Sequence, residues 1–157
     1  MIRAAAPEDA EAISRLLIAS ITELCSADHQ NDPAHLAHWT RGKCASDVRS
    51  WMATGTELRV SEQDHALCAV GAYRRNGEIL LLYVAPGAQG QGHSAALLKA
   101  MERELVALGC TEAQLVSSRT AQGFYERRGW QISGARVACY STDGQPMTKT
   151  LCAPPPA

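Results

Sequence analysis

Residues 1–157 read as a single α+β domain of three layers, a mixed and mostly antiparallel central sheet flanked by helices. Three observations carry that expectation. Apolar residues near the start recur at helical spacing, and from Thr56 onward the period shortens to that of strands. One helix must also carry the chain from an apolar strand ending at Val84 to another around Leu115, which makes those two strands parallel neighbours in a sheet otherwise joined by hairpins.

In order, Ile2 to Ala4 form a short strand. A helix follows with Pro7 at its first position and Glu8, Asp9 and Glu11 in its electropositive first turn. Ile13, Leu16, Leu17, Ile21 and Leu24 share its apolar face, and "CSADHQNDP" breaks it. "AHLAHW" and "SDVRSWM" are short helices. "TELRVSE" and "HALCAVGAYRR" are strands, and Asn76-Gly77 is a hairpin turn. "EILLLYVA" is apolar on both faces, as a strand covered on both sides requires. The next helix aligns Leu97, Leu98, Met101, Leu105 and Leu108 and stops at Gly109. "AQLVS" is a strand, "TAQGFYERRG" a short helix ending at Gly129, and "WQISGARVACY" pairs with "PMTKTL" to close the sheet. The tail 153–157, "APPPA", cannot join a ladder and is expected to be loose.

Composition narrows the function. Fifteen Lys and Arg against sixteen Asp and Glu leave a formal net charge of -1, with no basic cluster for nucleic acid or an anionic membrane. No apolar run is long enough to cross a bilayer, and "MIRAAAPEDAEAI" lacks the basic end and apolar run of a secretory signal. The expectation is a cytoplasmic protein with neither nucleic acid nor membrane as partner. The six cysteines lie far apart without a Cys-x-x-Cys pair, as reduced and mostly buried thiols would. His29, Asp32, His35 and His38 invite a metal reading. They lack the i, i+4 His pair with an intervening Glu of a zinc helix, so no metal is expected.

Chemistry concentrates where the apolar strand runs through "APGAQGQGHS" into a helix. Strand, glycine turn and helix commonly hold a phosphate, and three ligand classes use that arrangement. "GAQGQGHS" fits a P-loop at every position except its lysine, which is His93. Gly90, Gly92 and Ala95 spell a dinucleotide turn, but Glu112, about twenty residues on, precedes the next strand instead of ending it. In the third arrangement, successive backbone N–H groups of Gln89, Gly90, Gln91, Gly92, His93 and Ser94 face one pyrophosphate at the helix start, needing neither lysine nor metal.

The residues of that third arrangement resemble the GNAT superfamily of acyl-CoA-dependent N-acetyltransferases. Its signature is V-x-P followed shortly by [QR]-x-x-G-x-[GA], seen here as Val84-Ala85-Pro86 and Gln89 to Ser94. A second block, "SSRTAQGFYERRGW", is similar to that family's A-x-x-F-Y-x-x-x-G-[FW] segment at Ala121, Phe124, Tyr125, Gly129 and Trp130. Ser94 stands where the family usually has Gly or Ala, and Ser118 lies near where many members carry an Asn on the pantetheine arm.

The resemblance implies an acyltransferase that moves acetyl from acetyl-CoA, without metal, directly to a primary amine. It implies that the strand carrying Leu82, Tyr83 and Val84 splays from its neighbour and offers backbone groups to the pantetheine arm. It also implies Tyr125 as the acid at the departing thiolate and Glu78 as a base, with a water relay as the competing route. The region after the first helix, with Trp39, and "YSTDGQP" near the end would wall the acceptor site. A non-catalytic acyl-CoA sensor or scaffold on the same fold is the alternative. The sequence leaves open whether the acceptor is a small-molecule, peptide or protein amine. It is equally silent on oligomeric state, a homodimer included.

Overall fold

A computed structural model describes residues 1–139 and 142–151. β1 (Ile2–Ala4), β2 (Glu57–Gln63), β3 (Ala66–Tyr73) and β4 (Ile79–Val84) pair antiparallel in that order. Adjacent residues on β3 define the two faces. Val70 is buried in a cluster with Ile13, Leu17 and Val48, whereas a Cβ on Gly71 would lie 2.7 Å from Met101 Cε. α1 (Ala10–Leu24) and α4 (Ala45–Ala53) therefore cover the first face, and α5 (His93–Ala107) covers the second. This is the layering expected of a sheet that buries both sides.

The first helix starts later than its proline suggests. Pro7–Asp9 form a single 3-10 turn, and α1 begins at Ala10. The Asp9 carboxylate accepts the Ala6 N–H at 2.7 Å and pairs with Arg3, so the capping contact sits one turn earlier. The expected break after α1 contains a further turn of helix, α2 (Ser26–His29). Gln30 and Asn31 then take left-handed conformations, and Asp32 caps α3 (Pro33–Thr40). Leu108 departs from the expected apolar face. α5 ends at Ala107 and Gly109 turns the chain away at φ +91°, which leaves Leu108 42% exposed.

A second sheet holds β5 (Glu112–Ser117), β6 (Gln131–Ile132), β7 (Val137–Cys139) and β8 (Thr142–Thr150). The segment read as one strand, "WQISGARVACY", is two strands that both pair with β8, while β5 lies along the other edge of β8. Gln145 Nε2 reaches the Gly134 carbonyl at 2.8 Å and holds the interruption between them. α6 (Arg119–Glu126) connects β5 to this group. The cysteine expectation fails in part: among the described cysteines Cys25 is buried, Cys68 and Cys110 are half-buried, and Cys44 is exposed at the cap of α4. The tail 153–157 lies outside the described residues. No described helix is long and apolar enough to cross a membrane.

The two sheets meet at one point. β4 and β5 run parallel and touch through the Glu78–Gln114 bridge, where the Gln114 N–H donates to the Gly77 carbonyl at 3.0 Å. Gly77 has φ +104°, and a Cβ there would lie 2.7 Å from the Glu112 carbonyl oxygen. Gly77→Ala therefore meets both a disfavoured backbone region and a backbone clash. We expect a loss of about 1–3 kcal/mol, read as a fall of several degrees in Tm. An unchanged Tm would show that the junction tolerates a side chain.

Candidate active site

Beyond the Glu78–Gln114 bridge β4 and β5 separate, and among the described residues no strand pairs with the edge of β4 facing the gap. The Ala85 N–H donates to the Cys68 carbonyl at 2.8 Å, which sets the alternation of the strand. Tyr83 thus directs its backbone groups to β3, while Leu82 and Val84, opposite Gly71 and Ala69, direct theirs into the gap. The expectation for the three residues is refined. Leu82 and Val84 present backbone donors and acceptors, and Tyr83 contributes its side chain. A bulge assists: Ala72 opposes Leu81 and Tyr73 opposes Ile79, so Leu80 is the extra residue that bends β4.

The glycine loop lies at the open end of the gap. From Gln89 to Ala95 no backbone N–H donates to any group among the described residues, and the ladder of α5 resumes only with Ala96 donating to Gly92 at 3.0 Å. Gly90 and Gly92 have φ +73° and +86°, and a Cβ at either would meet nothing within 4 Å. A row of free donors, a helix N-terminus and open space in front make an anion site that needs no side-chain charge. The His93 ring is turned away, with Nδ1 2.9 Å from the Ser61 hydroxyl, so its contribution is its N–H. Ser94 lies at the second position of α5.

A cavity of about 810 Å³ joins this loop to the gap. Its walls include Leu82, Tyr83, Val84, Gln89, Gly90, Gly92, His93 and Ser94, together with Glu78 and Tyr125; Gln91 is exposed on the loop outside the lining. Tyr125 is 6% exposed, ring-stacked edge-on between Phe124 and Trp130, and burial pushes its hydroxyl well above the usual phenol range. It is thus a packed core tyrosine that also lines the cavity and keeps its hydroxyl proton at neutral pH. Glu78 also lines the cavity, at the closed end of the gap, with its carboxylate 2.9 Å from Arg74. Asp143, Gly144 and Pro146 line the cavity as part of β8, which begins at Thr142, before the Pro146 start expected of that strand; Tyr140 and Ser141 lie outside the described residues.

Two of the candidate residues after α1, Asp32 and His29, serve the fold. Asp32 accepts the Ala34 and His35 N–H groups, and His29 is buried with Nε2 on the Ile21 carbonyl and Nδ1 accepting from Asn31. Trp39 is 4% exposed, lines the cavity and donates from Nε1 to the Tyr83 hydroxyl at 3.2 Å.

Asp28 was missed in the sequence. It is 8% exposed, and its carboxylate accepts the Arg119 N–H at 2.6 Å, the Thr120 N–H at 3.1 Å and the Thr120 hydroxyl at 2.6 Å. Ser118 caps the same helix end by accepting the Ala121 N–H. An acidic residue in α2 thus holds the N-terminus of α6, the helix that carries Tyr125. No local pattern could reveal a contact across 91 residues of chain.

The acetyltransferase (GNAT) domain family matches residues 25–151. The fold superposes on the GCN5-related N-acetyltransferase of Rhodopseudomonas palustris with a TM-score of 0.86 and 21% identity, over 96% of this chain and 95% of that one. It also superposes on the PaiA N-acetyltransferase of Thermoplasma acidophilum in complex with coenzyme A (0.79, 19%, 96% and 98%). A third likeness is to the aminoglycoside 6'-N-acetyltransferase of Enterococcus faecium (0.70, 15%, 99% and 99%). No curated protein sequence matches the chain significantly.

Asp28→Ala strips α6 of three hydrogen bonds to a charged acceptor. Urea unfolding should show a loss of at least about 1.5–3 kcal/mol, the scale of one such bond. A loss below about 0.5 kcal/mol, the range of an ordinary surface substitution, would remove Asp28 as the anchor of that helix.

Proposed function

The chain belongs to the GNAT acetyltransferase family, and from that premise we propose that it transfers acetyl from acetyl-CoA directly to the primary amine of a small molecule. The observation that carries this reading is the continuity between the free donors of Gln89 to Ala95 and the open edge of β4 within one cavity. An extended ligand with an anionic group at one end and an amide-bearing arm fits both features. The likeness to an N-acetyltransferase in complex with coenzyme A supports the donor, and the likeness to an aminoglycoside 6'-N-acetyltransferase supports a small-molecule acceptor.

Bound acetyl-CoA supplies an acyl thioester, and this chain's residues do the rest. The Gln89–Ser94 amides bind the pyrophosphate, and Leu82 and Val84 pair with the pantetheine arm as an added strand would. An N–H on that edge polarises the thioester carbonyl. Glu78, or a water relay in the same cavity, takes the ammonium proton before the amine attacks. As the C–N bond forms the nitrogen releases its second proton to water, and as the C–S bond breaks Tyr125 gives its proton to the departing sulfur and is reprotonated from water. Its raised pKa keeps the hydroxyl protonated at neutral pH. Direct transfer is supported by Cys25, the described cysteine that lines the cavity. Burial pushes its thiol up to about 12, so it offers no thiolate to carry the acetyl group.

Two variants test the reading. Gly92→Val places a branched side chain at φ +86° in front of the amides and should abolish the Tm rise that acetyl-CoA gives the wild type, about 2.7 kcal/mol of stabilisation at a hundredfold excess over Kd. An equal rise in a folded variant would rule out the loop as the phosphate site. Tyr125→Phe keeps the ring and removes the donor, so kcat should fall by roughly a hundredfold or more with acetyl-CoA affinity intact. Equal kcat with an acceptor whose chemical step limits turnover would take Tyr125 out of the mechanism.

A further inference from the structure

Resting on the acetyl-transfer reading, we propose that the acceptor is a primary monoamine with an apolar, ring-sized body, and that polycationic amines are poor substrates. The cavity spans the sheet. Leu82 packs with the α5 and α6 side, Tyr83 packs with the α1 side, and both line the same space. The phosphate loop begins α5, which leaves the end under α1 and α3 for the acceptor. That end is walled by Ser20, Leu24, Cys25, Trp39 and the Tyr83 ring. A wall of one alkyl chain, one neutral thiol, two aromatic rings and a single small hydroxyl binds apolar surface and offers a few oriented polar groups.

Charge points the same way. Among the described residues the cavity is lined by two carboxylates, Glu78 and Asp143, and each already faces arginine. Glu78 holds Arg74 at 2.9 Å, while Asp143 holds Arg119 at 2.6 Å and Arg136 at 3.2 Å. Arg127 and Arg128 line the same cavity. A single ammonium at the reacting position loses its charge as it reacts. The further ammonium groups of a polycation would each give up water without gaining a free carboxylate, beside like charges.

The test compares 2-phenylethylamine, spermidine and kanamycin at saturating acetyl-CoA, by thiol release with mass spectrometry of the products. The expected result is a kcat/KM for 2-phenylethylamine higher than for either polycation by roughly tenfold or more, the discrimination that one pocket contact commonly supplies. Trp39→Ala should lower kcat/KM for 2-phenylethylamine while the acetyl-CoA thermal shift persists. Since Trp39 is buried and its loss could unfold the chain, Leu24→Glu provides a second variant. Leu24 is half-buried at the end of α1, and a carboxylate there should raise the spermidine rate and lower the 2-phenylethylamine rate. Faster turnover of spermidine or kanamycin by the wild type would overturn this acceptor class while leaving acetyl transfer standing. An unchanged preference in a folded Leu24→Glu protein would overturn the assignment of the wall. Absence of thiol release with every amine, with the acetyl-CoA thermal shift intact, would overturn both this inference and the transferase reading.

Discussion

The hydrogen-bond ladder between β4 and β5 stops after the Glu78–Gln114 bridge, and every feature of the site depends on that interruption. A continuous parallel pair would bury the Leu82 and Val84 backbone groups and close the sheet. Separated, the strands leave a polar edge inside an otherwise apolar domain, a costly arrangement unless water or a ligand satisfies it. The junction is held from outside the gap. Gly77 packs against the Glu112 carbonyl where no side chain would fit, and the Leu80 bulge turns β4 away from its neighbour.

Opening a sheet weakens the link between its halves, and the layers compensate. α5 ties β4 to the second half through a cluster of Leu98, Met101, Leu105, Leu115, Tyr125 and Trp130. On the other side, Asp28 in α2 grips the start of α6 with three hydrogen bonds. One contact is apolar and broad, the other polar and directional. Together they fix the Tyr125 ring between Phe124 and Trp130, with Tyr125 on the cavity wall.

Much of this was legible in one dimension because it follows from local chemistry. The period of Ile13, Leu16, Leu17, Ile21 and Leu24 specified a helix and its buried face; the first four are buried, and Leu24, the last residue of the helix, is half-buried. Asn76-Gly77 announced a turn, and the Asn76 side chain closes it by accepting the Glu78 N–H. Local rules failed where an element ended. Leu108 keeps the helical spacing but follows the last turn, and Pro7 opens a 3-10 turn instead of α1. The cysteines behaved according to their neighbours, since a thiol is small enough for the cap of α4 as well as for the core.

By itself the sequence determined the α+β class, the crossover from Val84 to Leu115 and the glycine turn. Each is a matter of spacing within one element or between consecutive ones, and the two motif blocks made the family legible. Tertiary structure alone decided which backbone edge is free, because the alternation of β4 is set by its pairing with β3 and not by its side chains. It also decided that Asp28 anchors α6 and that Trp39 meets Tyr83, contacts spanning 91 and 44 residues. Long-range hydrogen bonds leave no periodic trace in a sequence, since they depend on where packed layers bring two distant turns together.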